Sequence, residues 1–193
     1  MAPDARAAMI DAAIRLLAED GYQATSFSEV LARSGAPRGS IYHHFPGGKD
    51  ELVAAALDTQ LARVLDRLET LDGSTPQTIV TAFMDGWRRG LIATDFSVGC
   101  SLLAVTVTAG AGRLRQQAGT HFRDWRSSLA RLFASGGVAE RTAAAFAAQL
   151  LAAAEGAVAV ARAEGSLEAF DLVAERLEAE AADLPVAGSS HRQ

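Results

Sequence analysis

Apolar residues recur along this chain at three- and four-residue spacings, the period of helices with one buried face, and no convincing strand-type alternation interrupts them. Met9, Ala13, Ile14 and Leu17 share one side of a helix predicted over residues 4–20, which Gly21 stops. Ser26 and Glu29 then form an S-x-x-E capping box, so a short helix starts at Phe27 and buries Val30 and Leu31. It ends at Gly35, where a left-handed residue carries no Cβ strain. Pro37 supplies a fixed φ for a second short helix over residues 38–45. Residues 49–71 read as one long helix with Leu57, Leu61, Val64, Leu65 and Leu68 at helical spacing, spanning roughly 30 Å at about 1.5 Å per residue. Asp72-Gly73-Ser74-Thr75-Pro76 breaks it. Further helices are predicted over 76–93, 101–109, 113–135, 139–163 and 167–182. Val105-Thr106-Val107-Thr108 has strand-like propensity, and residues 184–193 read as a frayed tail. The fold class is all-α, with no internal repeat.

Two short helices joined through Gly and Pro make a helix-turn-helix signature. On a helical wheel Ile41 and Phe45 form the buried side of the second, so Gly39, Ser40 and His43 face outward with Tyr42 and His44 on the flanks. A glycine, a hydroxyl and imidazoles suit a nucleic-acid groove. Gly39 admits a close backbone approach, Ser40 and His43 can bond base edges, and Tyr42 and His44 can reach phosphates on either wall. The bland alternative is a solvated surface on a small bundle.

Charge changes this picture locally. The chain of 193 residues has a formal net charge of −5, yet between Glu29 and Asp50 it carries Arg33, Arg38 and Lys49 and no acid. A basic island on an acidic protein marks where a polyanion would bind. With 49 % apolar and 21 % charged residues the composition is that of a packed globular protein. No run approaches about 18 consecutive apolar residues, and no secretory pattern opens the chain, so a cytoplasmic protein without a membrane partner is expected. A single cysteine, Cys100, excludes an internal disulfide, and the histidines show no metal-ligand spacing. No metal site, cofactor or catalytic residue is expected. Neither H-E-x-x-H, G-x-S-x-G nor a phosphate loop is present, which argues against an enzyme.

Residues 5–60 resemble the DNA-binding domain of the TetR family of bacterial repressors. The resemblance is carried by Gly21-Tyr22-Gln23-Ala24-Thr25-Ser26, by Ala32 to Gly35, by Gly39-Ser40-Ile41-Tyr42-His43-His44-Phe45, and by Lys49. The Ala-Pro-Arg-Gly-Ser-Ile-Tyr-His-His-Phe-Pro-Gly-Gly-Lys form is similar to the LmrA-like branch of lincomycin-resistance repressors. The resemblance implies a DNA-binding domain over residues 1–48, a helical ligand-binding and dimerisation domain over 49–183, and a flexible tail over 184–193. It also implies phosphate contacts from Thr25 and Lys49, although Thr25 could equally just complete its turn. Two departures stand out. Ala36-Pro37 replaces the common Val-Ser, leaving the second short helix without a side-chain N-cap, and Pro46-Gly47-Gly48 lengthens the link before Lys49.

The same resemblance implies an operator-binding homodimer, built through its eighth and ninth helices and released from DNA by a small hydrophobic effector. The alternative is a helical ligand-binding or interaction protein without ligand control of DNA binding. Phe83 with Trp87, Phe122 with Trp125, and Phe146 with Leu150 form three aromatic or apolar pairs at helical spacing. By spacing alone they read as core; the resemblance makes them walls of an effector pocket, with Gln117, His121 and Glu155 as polar members. Glu155 lies within Leu-Leu-Ala-Ala-Ala-Glu-Gly-Ala-Val-Ala-Val, where an unpaired carboxylate would be costly.

Overall fold

The structure, a computed structural model, describes residues 4–110 and 112–187. Among them the ordered elements are α1 (Ala5–Ala24), α2 (Phe27–Ser34), α3 (Ser40–His44), α4 (Lys49–Glu69), α5 (Pro76–Ala93), α6 (Ser101–Thr108), α7 (Arg113–Ser135), α8 (Glu140–Glu164) and α9 (Glu168–Ala182). The described residues contain no strand, only an isolated antiparallel bridge between Val138 and Val186. The chain is all-α. Val105-Thr106-Val107-Thr108 is helical despite its composition, and the Thr106 and Thr108 hydroxyls donate back to the carbonyls of Leu102 and Ala104, at 2.9 and 2.6 Å.

The chain divides into two compact units. The first takes residues up to 63 together with 99–122, and the second takes 64–98 together with 123 onward. The apolar side of α1, with Met9, Ile10, Ala13 and Leu17 all buried, is covered by α2 and α3 and also by α6, whose Leu102 and Val105 are buried. Gly99 N–H donates to Ala18 O at 2.9 Å, tying the approach to α6 onto α1.

Within the first unit the local signals form largely as the sequence predicts. Asp4 caps α1 by accepting from Arg6 N–H. Gly21, with φ +79° and ψ −177°, breaks the helical path at the predicted stop, and Tyr22–Ala24 add one further turn. Ser26 Oγ accepts from Glu29 N–H at 3.2 Å, and Gly35 closes α2 in the left-handed region with its N–H on Leu31 O. Helix α3 is shorter than the predicted span of 38–45. Pro37 opens a turn, with Ser40 N–H donating to Pro37 O at 2.9 Å, and no side chain caps the helix, so regular structure begins only at Ser40.

In the second unit Thr75 caps α5 by accepting from Thr78 N–H, with Pro76 at the first helical turn. Phe133 of α7 meets Phe146 of α8 edge to face, with ring centroids 5.1 Å apart. At one end the α4–α5 loop closes on the α7–α8 turn. A Cβ at Gly136 would lie 2.6 Å from Ser74 O, so only glycine fits. Residues 184–187 are pinned rather than frayed: Val186 bridges Val138, and Ala187 N–H donates to Gly137 O at 2.8 Å. The rest of the predicted tail, residues 188–193, lies outside the described residues.

Helix α8 is long and apolar enough to cross a membrane by length and composition, but half of its apolar window is buried within the protein. Its outer face carries Ala145, Gln149, Ala152, Gly156, Ala159 and Val160.

Candidate nucleic-acid interface

Helix α3 has an inside and an outside set by its own sequence. Ile41 and Phe45, one turn apart, are fully buried, which anchors the helix and turns the intervening residues outward. Tyr42 is 69 % exposed although its ring packs edge to face on Phe27, with centroids 5.4 Å apart. An exposed ring held by a neighbour is preorganised, so less side-chain entropy is lost when it binds. His43 is exposed and His44 half-buried, their rings 5.4 Å apart in a T-shaped contact. Arg38 and Gly39 are exposed in the turn before the helix, and Ser40 Oγ donates to Pro37 O at 2.6 Å while keeping lone pairs free. Gly39 has an ordinary φ of −71°, and a Cβ there would meet nothing within 4 Å. The chain's own packing does not require glycine at this position.

Within residues 38–44, Arg38, Gly39, Tyr42 and His43 are exposed and Ser40 and His44 half-buried, whereas two other predicted contacts are engaged by the chain itself. Thr25 is fully buried, and its hydroxyl donates to Gly21 O at 2.9 Å. It closes the turn between α1 and α2. Lys49 folds back over the Tyr22 ring, its Nζ 4.0 Å from the centroid and 3.4 Å from Gln23 O. Burial pushes the ammonium pKa down from its ordinary value, with Asp50 pulling the other way. The longer Pro46-Gly47-Gly48 link before Lys49 is fixed where Gly47 N–H donates to Glu51 Oε2 at 2.7 Å.

Tyr22, named in the sequence only as part of the family motif, carries part of this arrangement. Its hydroxyl donates to Asp50 Oδ1 at 2.5 Å, and that bond, with burial and the carboxylate's charge, raises the phenol pKa to about 12. The basic island is also thinner than its sequence suggests, because Arg33 pairs with Glu19 of α1. In compensation Arg6 lies over the Phe45 ring, 5.3 Å from its centroid. This cation beside α3 was missed because it is remote in sequence and carries no motif.

A domain described as "Bacterial regulatory proteins, tetR family" matches residues 9–56, and one described as "Transcriptional regulator LmrA/YxaF-like, C-terminal domain" matches residues 76–176. The chain belongs to the TetR family of transcriptional regulators. It is similar to an uncharacterized HTH-type transcriptional regulator of Mycobacterium tuberculosis, 36 % identical over 140 residues, covering 69 % of this chain and 71 % of that protein. The HTH-type transcriptional regulator LmrA of Bacillus subtilis is 29 % identical over 128 residues, covering 64 % and 68 %. The crystal structure of a TetR regulatory protein from Rhodobacter sphaeroides superposes with a TM-score of 0.79 at 26 % identity, covering 91 % and 97 %. Family membership makes the chain a DNA-binding regulator and not an enzyme.

For a TetR-family regulator the residues expected to line an effector pocket are divided in an informative way. Phe83, Trp87 and Trp125 cluster, with centroid distances to Trp125 of 5.7 Å from Phe83 and 6.3 Å from Trp87. Phe146 instead packs on Phe133, and Leu150 is fully buried. Gln117 and His121 are engaged in the first unit, where both reach Asp58 Oδ1 through their Nε2 atoms, at 2.6 and 2.9 Å. Phe122 is half-buried and Glu155 buried. A groove of about 420 Å³ runs along Gln77, Thr78, Thr81, Ala82, Asp85 and Arg89 on the outer side of α5, and none of the expected pocket residues lines it.

Proposed function

We propose that this TetR-family protein is a repressor that binds operator DNA as a homodimer in the cytoplasm and leaves it when a small hydrophobic molecule binds its helical domain. The observation that carries the DNA reading is the outward set of Arg38, Gly39, Ser40, Tyr42, His43 and His44, held on the buried anchors Ile41 and Phe45. A glycine that the fold itself does not need suits a backbone that DNA approaches closely. In this reading His43 and Ser40 read bases, and Tyr42, His44 and Arg38 hold phosphates. Lys49 acts by setting the start of α4. Residues 1–48 serve as the DNA-binding domain and 49–183 as the ligand-binding and dimerisation domain.

The dimer reading rests on α8 and α9. Their exposed sides present Ala145, Ala152, Gly156, Ala159 and Val160 on α8 and Leu172, 64 % exposed, on α9. Small residues on an apolar helix permit close approach by another helix, and a second copy supplies one. Gly156 points into open space in the single chain, so a leucine there fits the isolated fold. Gly156→Leu is expected to shift the protein toward monomer by light scattering while keeping its helical signal; an unchanged stable dimer rejects this interface.

Ligand release requires an effector that favours the DNA-incompetent arrangement by about 1–3 kcal/mol. The wall that supports it is the Phe83, Trp87 and Trp125 cluster. Operator release by hydrophobic compounds, read by fluorescence anisotropy with labelled duplex, tests the reading. The engagement of Gln117 and His121 with Asp58 favours the second reading, DNA binding without ligand control, and that reading holds if a broad compound panel quenches tryptophan fluorescence but never releases operator.

A further inference from the structure

We infer that Trp125 supplies the polar contact of the effector site, and that the molecule it takes is flat, uncharged and carries a hydrogen-bond acceptor. This rests on the ligand-release reading above. Trp125 is 5 % exposed, and its Nε1 is buried with no hydrogen-bond partner among the described residues. An indole N–H can only donate. Leaving such a donor buried and unpaired is unfavourable, and where one persists in a folded protein it calls for an explanation. Its aromatic neighbours, Phe83 at 5.7 Å and Trp87 at 6.3 Å, offer ring faces, at best weak acceptors, and no oxygen or nitrogen lone pair. Trp87 is half-buried, so it is the member of the cluster that an entering ring can displace from outside.

Three aromatic rings would also suit a cation cage. The unpaired N–H decides against one, because a donor presents the positive end of its dipole to the ligand. A carboxylate is disfavoured for a different reason. It would need a counter-charge, and Arg88, beside Trp87 in sequence, is held by Asp171 at 2.9 Å and Asp85 at 3.7 Å. What remains is a neutral acceptor, such as a carbonyl, on a planar apolar frame.

Fluorenone and fluorene provide the test, since they share a flat tricyclic frame and differ by one carbonyl oxygen; N-methylacridinium supplies a flat cation. The chain contains two tryptophans, so ¹⁵N-labelled protein gives two indole N–H resonances, assigned with Trp87→Phe. Fluorenone is expected to bind about tenfold more tightly than fluorene, the gain from pairing one buried donor. It should move the Trp125 indole resonance downfield, which fluorene should not, and Trp125→Phe should bind the two equally. Equal binding of both by the unmodified protein, with the Trp125 resonance in place, overturns this inference and leaves the ligand site standing. Preference for N-methylacridinium also overturns it, in favour of a cation cage. If none of the three binds and operator is never released, this inference falls together with the ligand-release reading.

Discussion

The recognition region and the aromatic cluster of the second unit handle their side chains in opposite ways. Around α3 the apolar residues Ile41 and Phe45 turn inward and the polar ones outward, and the nearby polar groups find local partners: Tyr22 on Asp50, Ser40 on Pro37, Arg33 on Glu19. Around α5 and α7 the aromatic rings turn inward and one of them takes a polar atom with it, the buried Nε1 of Trp125. The inward and outward sides of α3 follow from spacing within a few residues. The second arrangement depends on which side chains two remote helices bring together, and it leaves a group that the chain itself does not satisfy. On the proposed function, a site for a large external polymer is a finished surface, whereas the site proposed for a small molecule is marked by an unfinished interior.

The sharpest way to break this contrast is to compare an anchor with a contact on α3 itself. Phe45→Ala removes a fully buried ring and is expected to cost about 3–5 kcal/mol of stability, read as a lower thermal midpoint. Tyr42→Phe changes only an exposed hydroxyl and should leave stability within about 0.5 kcal/mol. It should weaken duplex binding by about 1.5–3 kcal/mol if that hydroxyl holds a phosphate. Loss of stability in Tyr42→Phe would make the residue part of the core and erase the distinction. In the second unit, Gly136→Ala sets a Cβ against Ser74 O and should destabilise by about 1–3 kcal/mol through overpacking, without touching the DNA face.

Smaller effects sharpen the account of charge. Arg38→Ala should reduce the slope of log affinity against log salt by about 1. Lys49→Ala should leave the slope nearly unchanged, because the Lys49 ammonium lies over Tyr22. Equal losses from both substitutions would return Lys49 to the phosphates. The Tyr22–Asp50 bond predicts an alkaline effect with a definite sign. Its phenol pKa is raised from 10.0 to about 12, so the stability it lends is complete below pH 10 and is lost as the pH rises through 12. With Tyr42→Phe leaving a single tyrosine, ultraviolet titration should show ionisation near pH 12, and Tyr22→Phe should flatten the stability profile across that window.

How much of this was legible in the sequence follows the range of each signal. Ser26, Glu29, Gly35 and the Ile41/Phe45 spacing are local, and they fixed α2, its stop and the two sides of α3. The helix starting at Arg38 was an overreading, because Pro37 sets φ but brings no N-cap, and the turn to Ser40 takes its place. Thr25 and Lys49 carried family roles, but the Thr25 hydroxyl is committed to Gly21 O four residues back, the local turn that was its alternative, and the Lys49 ammonium lies over Tyr22 by a contact that no short-range pattern encodes. In the second unit helical spacing placed Phe83, Trp87 and Trp125 on inward faces but could not tell that Phe146 would choose Phe133. Nor could it place the Gln117 and His121 pairing with Asp58, which joins residues 59 and 63 positions apart by number and requires α4 beside α7. Val186 looked like tail because nothing near it in sequence needs it; its partner Val138 lies across the unit's own fold.

The central claim is that the outward face of α3 reads DNA sequence, and His43 tests it most directly. A duplex selected from a random pool by the unmodified protein serves as operator, with a scrambled duplex of the same composition as reference. For His43→Ala the account predicts that the ratio of operator to scrambled affinity falls by about 1–3 kcal/mol, the discrimination carried by one good base contact, with the melting temperature unchanged. An unchanged ratio, or equal weakening on both duplexes, would contradict it.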